Sequence, residues 1–265
     1  MTSRQNSTPT EEHEDATAVF LEQELFIANT FASTTNFLSF APSDDFKLKS
    51  AILKPTSIFI EFLKLLQMIT TLERQASTNP TALSKFGITP SGLRMLFENA
   101  RVRTLELGKT FKVSSADDYL HLSRTVNCFY HAGLIYSHRA LLKEESLGTS
   151  FSSEKQTQIK ISKIELFRAL GFTEPIKPTF AQDLVWPLFI AGTEATERGE
   201  QEIVVAKLRM AMAETGFSNC QHALEFLKAL WERRVDADGQ VAETKFDWIA
   251  FAREWTGQGR TFLVF

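Results

Sequence analysis

The segment from Asp183 to Ala195 constrains the fold more than any other part of this chain. It reads DLVWPLFIAGTEA, and its central residues would be apolar around the whole circumference of a helix. A helix of that kind is buried on all sides, so the segment predicts a central helix with others packed around it. Because Pro187 cannot donate a backbone hydrogen bond, this helix is predicted to be kinked. Asp183 is its predicted N-cap, and Glu194 marks the point where it is expected to regain solvent.

The rest of the chain shows helical periodicity. Apolar residues recur at steps of three and four, most clearly over residues 59–72, 93–107 and 119–137. No segment has the sustained alternation of apolar and polar residues that predicts a strand. We therefore predict an all-α fold, a single multi-helix bundle of roughly nine or ten helices with a kinked buried central helix. Gly133, in the middle of a predicted helix, indicates a close contact with another helix.

Two polar stretches set the predicted domain organisation. Residues 1–16, MTSRQNSTPTEEHEDA, are polar and are predicted to form a disordered tail. Residues 17–265 are predicted to form one helical domain, for which the hydrophobic content of 43% supplies a large core. Within that domain, residues 146–158, SLGTSFSSEKQTQ, are predicted to be a flexible loop.

Charge and cysteine usage exclude several classes of protein. The formal net charge is −3 and no basic stripe is present, so direct contact with nucleic acid is not expected, because phosphate neutralisation supplies most non-specific binding. Cys128 and Cys220 lie far apart, which predicts two buried free thiols in a reducing compartment. No secretory signal pattern and no uncharged apolar run of about 18 residues occurs. A nuclear or cytoplasmic protein is therefore expected, neither secreted nor bound to a membrane.

Several segments resemble one known family. DLVWPLFIAGTEA resembles the signature of the fungal-specific transcription factor domain, the all-helical regulatory region that follows a six-cysteine binuclear zinc cluster in many fungal activators. HLSRTVNCFYHAGLIYSHRAL, GFSNCQHALEFLKALWERR and DWIAFAREW resemble an earlier, a later and the closing segment of the same family, in the right order. The resemblance covers about residues 19–265. The signature core is fairly specific, whereas the other pieces are weak when taken alone.

This sequence departs from the family pattern at three places. Thr193 stands where the family often has a cysteine, and Gln201 stands near the position of a frequent arginine. No basic, cysteine-rich segment precedes Val19, so the zinc cluster is lacking. Two explanations stay open: the sequence is cut from a longer regulator, or it is a stand-alone protein that has lost DNA binding.

The resemblance implies a regulator that acts through protein–protein contact, with protein partners or as a homodimer, and that needs no cofactor. Binding of an apolar small-molecule effector is also expected, because the chain has 23 phenylalanines and a fully apolar signature segment. The residues predicted to line this ligand site are Phe129, Tyr130, Trp186, Phe189 and Ile190.

An alternative interpretation is a stand-alone enzyme of secondary metabolism. Asp117, Asp118 and His121 place two carboxylates and an imidazole within one helical turn. Together with Lys207 or Lys228 they would bind Mg²⁺ and a prenyl diphosphate, as a terpene cyclase requires. The structural interpretation is preferred, because acids in the first turn of a helix stabilise its dipole and Mg²⁺ sites usually need further oxygen ligands.

Overall fold

The described part of the chain is helical. The computed structural model describes residues 24–34, 58–78, 88–110, 115–141, 149–171, 178–216, 218–235 and 247–260. The helices in these ranges are α1 (Ile60–Thr78), α2 (Pro90–Thr110), α3 (Ala116–Leu141), α4 (Thr149–Gly171), α5 (Pro178–Ala181), α6 (Val185–Glu194), α7 (Arg198–Thr215), α8 (Asn219–Arg234) and α9 (Trp248–Gly257). A further helical segment covers residues 24–34. No β-strand occurs in the described ranges, which confirms the all-α prediction; the tail predicted at 1–16 lies outside them.

Helix α3 is the element around which the bundle is assembled. It packs against α1, α2, α4, α5 and α6. From Ala132 to Leu141 every residue except Arg139 is buried, so the second half of α3 is surrounded by protein. Two helices therefore share the centre of the bundle, α3 and the signature helix α6.

The signature helix α6 is buried along its whole length, as its apolar circumference predicts. Every residue from Val185 to Glu194 is buried, and the helix packs against α3, α4, α7 and α8. The extreme burial follows from composition, because a helix with no polar face has no side that can be turned to water.

Pro187 explains where the helix of the signature segment is interrupted. Helix α5 ends at Ala181, the next three residues form a turn, and α6 begins at Val185. Pro187 is then the third residue of α6, and it has no N–H to offer the carbonyl group of Asp183, four residues earlier. The turn that separates α5 from α6 contains this Asp183 carbonyl group. The prediction that Asp183 caps α6 is wrong, because Leu184 occupies the N-cap with helical dihedral angles and no side-chain cap bond forms.

The loop predicted over residues 146–158 is helical from Thr149 onward, where α4 begins. The error has a physical cause. Serine and threonine are frequent at helix starts as well as in loops, and the following residues place Lys155 and Ile159 in buried positions on one side of the helix. Packing against α3 outweighs the low helix propensity of the polar residues.

The close contact predicted at Gly133 is present. A Cβ atom added to Gly133 would overlap the ring of Phe97 on α2, and Phe97 is fully buried. Replacing Gly133 by alanine is therefore expected to lower the free energy of unfolding by about 1–3 kcal/mol through overpacking, as measured by urea unfolding. The matched control is Gly171→Ala, since a Cβ atom at that exposed position meets nothing within 4 Å. Equal effects of the two substitutions would contradict the overpacking argument.

Candidate functional site

An ion pair between the buried Glu194 and the partly exposed Arg139 holds the carboxyl-terminal end of the signature helix. Arg139 of α3 donates from Nε to Glu194 Oε1 at 3.0 Å and from Nη2 to Oε2 at 2.8 Å. Only 6% of the Glu194 side chain is exposed. The expectation that Glu194 lies where α6 regains solvent is therefore wrong, because a bidentate pair with arginine compensates the carboxylate for the lost water.

Two side chains of α8 complete this end of the helix. Arg234 donates from Nη2 to the carbonyl oxygen of Thr193 at 2.5 Å, and Trp231 donates from Nε1 to that of Gly192 at 2.9 Å. The last carbonyl groups of a helix have no partner within it, so these donors satisfy buried acceptors. Burial lowers the pKa of Arg234, and the Glu194 carboxylate counteracts that effect. We call this group the polar node; it consists of Arg139, Glu194, Trp231 and Arg234.

A second set of contacts fixes the connection between α6 and α7. Glu200 accepts hydrogen bonds from the backbone N–H groups of Thr196 at 2.9 Å and Glu197 at 3.2 Å. The same carboxylate pairs with Lys163 of α4, whose Nζ lies 2.8 Å away. The end of the signature helix is thus tied to α3, α4 and α8 through charged side chains.

Aromatic rings surround the beginning of the signature helix. The Trp186 ring is stacked on Phe129 with centroids 5.8 Å apart and meets the Tyr136 ring edge-on at 6.0 Å. Phe129 is also stacked on Phe59, with centroids 4.5 Å apart, and Phe31 lies 6.2 Å from Trp186. We call this group the aromatic cluster; it consists of Phe31, Phe59, Phe129, Tyr136 and Trp186.

The structure brings some of the predicted ligand residues together and separates others. Phe129 and Trp186 are in contact within the aromatic cluster. Tyr130 lies on another side of α3, where Arg101 sits over its ring at 5.6 Å. Phe189 contacts Phe226 at 5.6 Å and meets the Trp248 ring edge-on at 5.7 Å, while Ile190 is fully buried in the core. The five residues therefore do not line one common surface, and the ligand site remains a prediction.

Open grooves lie elsewhere on the described surface. One of about 370 Å³ is lined by residues of α7, among them Arg198, Val205 and Arg209, and by Trp231 of α8. None of the five predicted ligand residues lines it. Its open shape and mixed lining are those of a surface depression, unlike the enclosed apolar site that a small ligand requires.

The residues of the enzymatic alternative have contacts of their own in the structure. Asp118 accepts a hydrogen bond from Ser115 Oγ at 2.8 Å, and its backbone N–H donates to the same oxygen at 3.1 Å. This is a helix-start arrangement. His121 Nε2 lies 3.8 Å from Asp117 Oδ1, whose side chain is 65% exposed.

The two lysines differ in environment as well: Lys207 is buried on α7, whereas Lys228 is exposed on α8. Within the described ranges, no group of three or more histidine, cysteine, aspartate or glutamate side chains is arranged to hold a metal ion.

Burial shifts the pKa values of several groups near the centre of the bundle. It raises the pKa of the Cys128 thiol to about 12, so this cysteine carries no reactive thiolate. Burial also lowers the pKa of His131 to about 4, an effect that Arg101 reinforces and that Glu165 opposes. For Asp183, burial alone raises the pKa to about 7. The predicted free, buried state of both cysteines is confirmed.

Comparison with known proteins agrees with this architecture. The family model of the fungal specific transcription factor domain matches residues 53–264. The chain belongs to this family. Neither the curated proteins nor the solved structures contain a match to it. The matched range includes α1 to α9 and excludes the helical segment at residues 24–34. None of the helices in the described ranges is long and apolar enough to cross a membrane.

Proposed function

We propose that this chain is the effector-responsive regulatory domain of a nuclear transcription regulator, and that it acts by contact with other proteins. The contact is made with a protein partner or with a second copy of the chain. DNA contact is supplied by a different module, because the chain has a net charge of −3 and no basic stripe. Family membership supports the regulatory role.

The observation that carries the proposal is that one rigid helix joins two different environments. Trp186, near the start of α6, belongs to the aromatic cluster, and Glu194, at its end, belongs to the polar node. A ligand acts only by binding one conformation better than another. A ligand that displaces Trp186 would shift the signature helix and thereby the node that joins it to α3 and α8.

The chemistry of the aromatic cluster defines the ligand class. Phe59 and Phe129 offer only ring surfaces, and Trp186 offers one N–H donor, which Thr34 Oγ1 accepts at 3.1 Å. Tyr136 directs its hydroxyl group to Thr70 at 2.8 Å. A site of this composition favours an apolar small molecule with one hydrogen-bond acceptor and disfavours an anion.

The test is a thermal-shift screen of the full chain against sterols and terpenoids, with tryptophan fluorescence as a second readout. A ligand at a hundred times its Kd stabilises the folded state by about 2.7 kcal/mol, so a clear rise in Tm is expected. Light scattering on the same samples reports whether the ligand changes the oligomeric state.

The exposed isoleucines of α4, Ile161 and Ile164, lie one turn apart and support the proposed contact with another protein.

Two variants locate the effect. Phe129→Leu changes the aromatic cluster and is expected to reduce the thermal shift. Phe251→Leu removes similar apolar area at a distant part of the core, where Phe251 contacts Phe226 and Trp255, and is expected to leave the shift unchanged. A screen with no hit, or equal losses in both variants, would refute the effector site.

A further inference from the structure

One member of the aromatic cluster, Phe31, belongs to a helical segment that lies outside the family match. In the segment of residues 24–34, one face is buried and the other is exposed: Leu25, for example, is 60% exposed. The family match begins at residue 53. The buried side chains of this segment are Phe26, Thr30, Phe31 and Thr34.

This helical segment contacts the signature helix α6 and also α1 and α3. The Phe31 ring lies 6.2 Å from Trp186 and 6.4 Å from Phe129. Thr34 Oγ1 accepts the Trp186 Nε1 hydrogen bond at 3.1 Å. Arg74 of α1 donates from Nη2 to the carbonyl oxygen of Ser33 at 3.2 Å, which ties the backbone of the segment to α1.

The same helix has features of a docked element. Among the described residues 24–34, the large apolar side chains that are buried are those of Phe26 and Phe31, so these two rings hold the segment on the surface beneath it. Among the described residues, Thr30 Oγ1 is buried without a hydrogen-bond partner. Such a group weakens docking, because its hydration is lost without compensation.

We propose that the surface formed by Phe59, Phe129, Trp186 and Arg74 is a docking site for an amphipathic helix, and that residues 24–34 are its exchangeable intramolecular occupant. The site recognises two phenylalanines five positions apart and a hydroxyl acceptor three positions further on, and Arg74 binds the backbone carbonyl group beside that acceptor. Release of the occupant uncovers Trp186. The inference concerns the surface of the proposed effector site, but its test uses no effector, so the two can fail separately.

The test measures binding of a fluorescein-labelled peptide spanning residues 22–36 to the full chain by fluorescence anisotropy. In the wild type, residues 24–34 of the same chain occupy the docking site. In the double variant Phe26→Ala/Phe31→Ala this segment lacks the two rings that hold it there, so the site is free for the peptide. The peptide is expected to bind this variant at least about tenfold more tightly than the wild type, because intramolecular competition is removed. The Leu25→Ala variant, altered on the exposed face, should behave as the wild type. A peptide carrying alanine in place of both phenylalanines should bind neither protein.

Two results would overturn the proposal: equal affinity of the peptide for the wild type and the double variant, or no binding to a folded double variant. Folding of the variant is checked by its cooperative urea transition. If the variant does not fold, amide hydrogen exchange of the wild type tests whether the segment of residues 24–34 opens separately from the rest of the fold. Amides of residues 24–34 should exchange at least about a hundredfold faster than those of α3, because a docked helix opens locally. Protection equal to that of α3 would make the segment an integral part of the fold.

Discussion

Replacing Glu194 by alanine is expected to lower the free energy of unfolding by about 3–5 kcal/mol, the usual cost of removing one partner from a buried ion pair. The carboxylate is bound by Nε and Nη2 of Arg139 and also opposes the effect of desolvation on the pKa of Arg234. Its removal takes from both arginines a negative charge that lies beside them in the folded chain. The cost therefore comes from weaker compensation of their charge, in addition to lost packing, and the 23% exposure of the Arg139 side chain favours the lower end of the range.

Urea unfolding at neutral pH measures this effect, and Glu202→Ala is the matched control. Glu202 pairs with Arg198 at 2.9 Å, but the two side chains are 66% and 91% exposed, so the control is expected to cost less than about 1 kcal/mol. Glu194→Gln should fall between them, because an amide retains one acceptor but no charge. If Glu194→Ala costs no more than Glu202→Ala, the polar node does not stabilise the bundle.

The polar node also shows which part of the architecture lies beyond sequence reasoning. The periodicity of apolar residues is local, so it predicts the helices and the central position of α6. The burial of Glu194 depends on Arg139, which is 55 positions away in the chain, and no local pattern reports that pairing. Because the pairing with Arg139 has no local signal, the sequence alone predicts that Glu194, a single glutamate after an apolar run, lies where the signature helix reaches solvent.

The predicted ligand residues illustrate a second limit. The abundance of phenylalanine and the apolar signature segment place Phe129 and Trp186 in one predicted ligand site, and the two rings are in contact. Tyr130 follows Phe129 by one position, but adjacent residues on a helix do not share a face, and it lies beside Arg101 instead. Phe31 and Phe59 complete the aromatic cluster from distant parts of the chain. Their spacing predicts helices but does not say which helices will pack together.

Replacing Asp183 by asparagine is expected to stabilise the chain at pH 8 by about 2–4 kcal/mol. Burial raises the pKa of Asp183 from 3.8 to about 7, and each unit corresponds to about 1.4 kcal/mol. The upper value applies to complete burial, and the side chain keeps partial contact with solvent. Within the described ranges Asp183 forms no ion pair, and burial is the sole cause of the shift.

The sign of the effect follows from proton linkage. Between pH 4 and pH 7 the unfolded chain has released the Asp183 proton while the folded chain still holds it, so stability falls as the pH rises through this window and is level above it. Asparagine cannot ionise, so the variant and the wild type should be equally stable near pH 3.5 and should differ most at pH 8. Urea unfolding at pH 3.5, 6 and 8 measures the divergence.

A second group titrates in the same window with the opposite sign. Burial lowers the pKa of His131 to about 4, so the unfolded chain binds a proton below its usual pKa of 6.5 and stability falls as the pH drops from 6.5 to 4. The contributions of Asp183 and His131 to the free energy of unfolding change with pH in opposite directions, so they offset each other in the wild type. The His131 contribution is the same in the wild type and in Asp183→Asn, and it therefore cancels when the two free energies are subtracted. Loss of stability in Asp183→Asn at pH 8 would mean that the carboxylate stabilises the fold as an anion, contrary to the argument from burial.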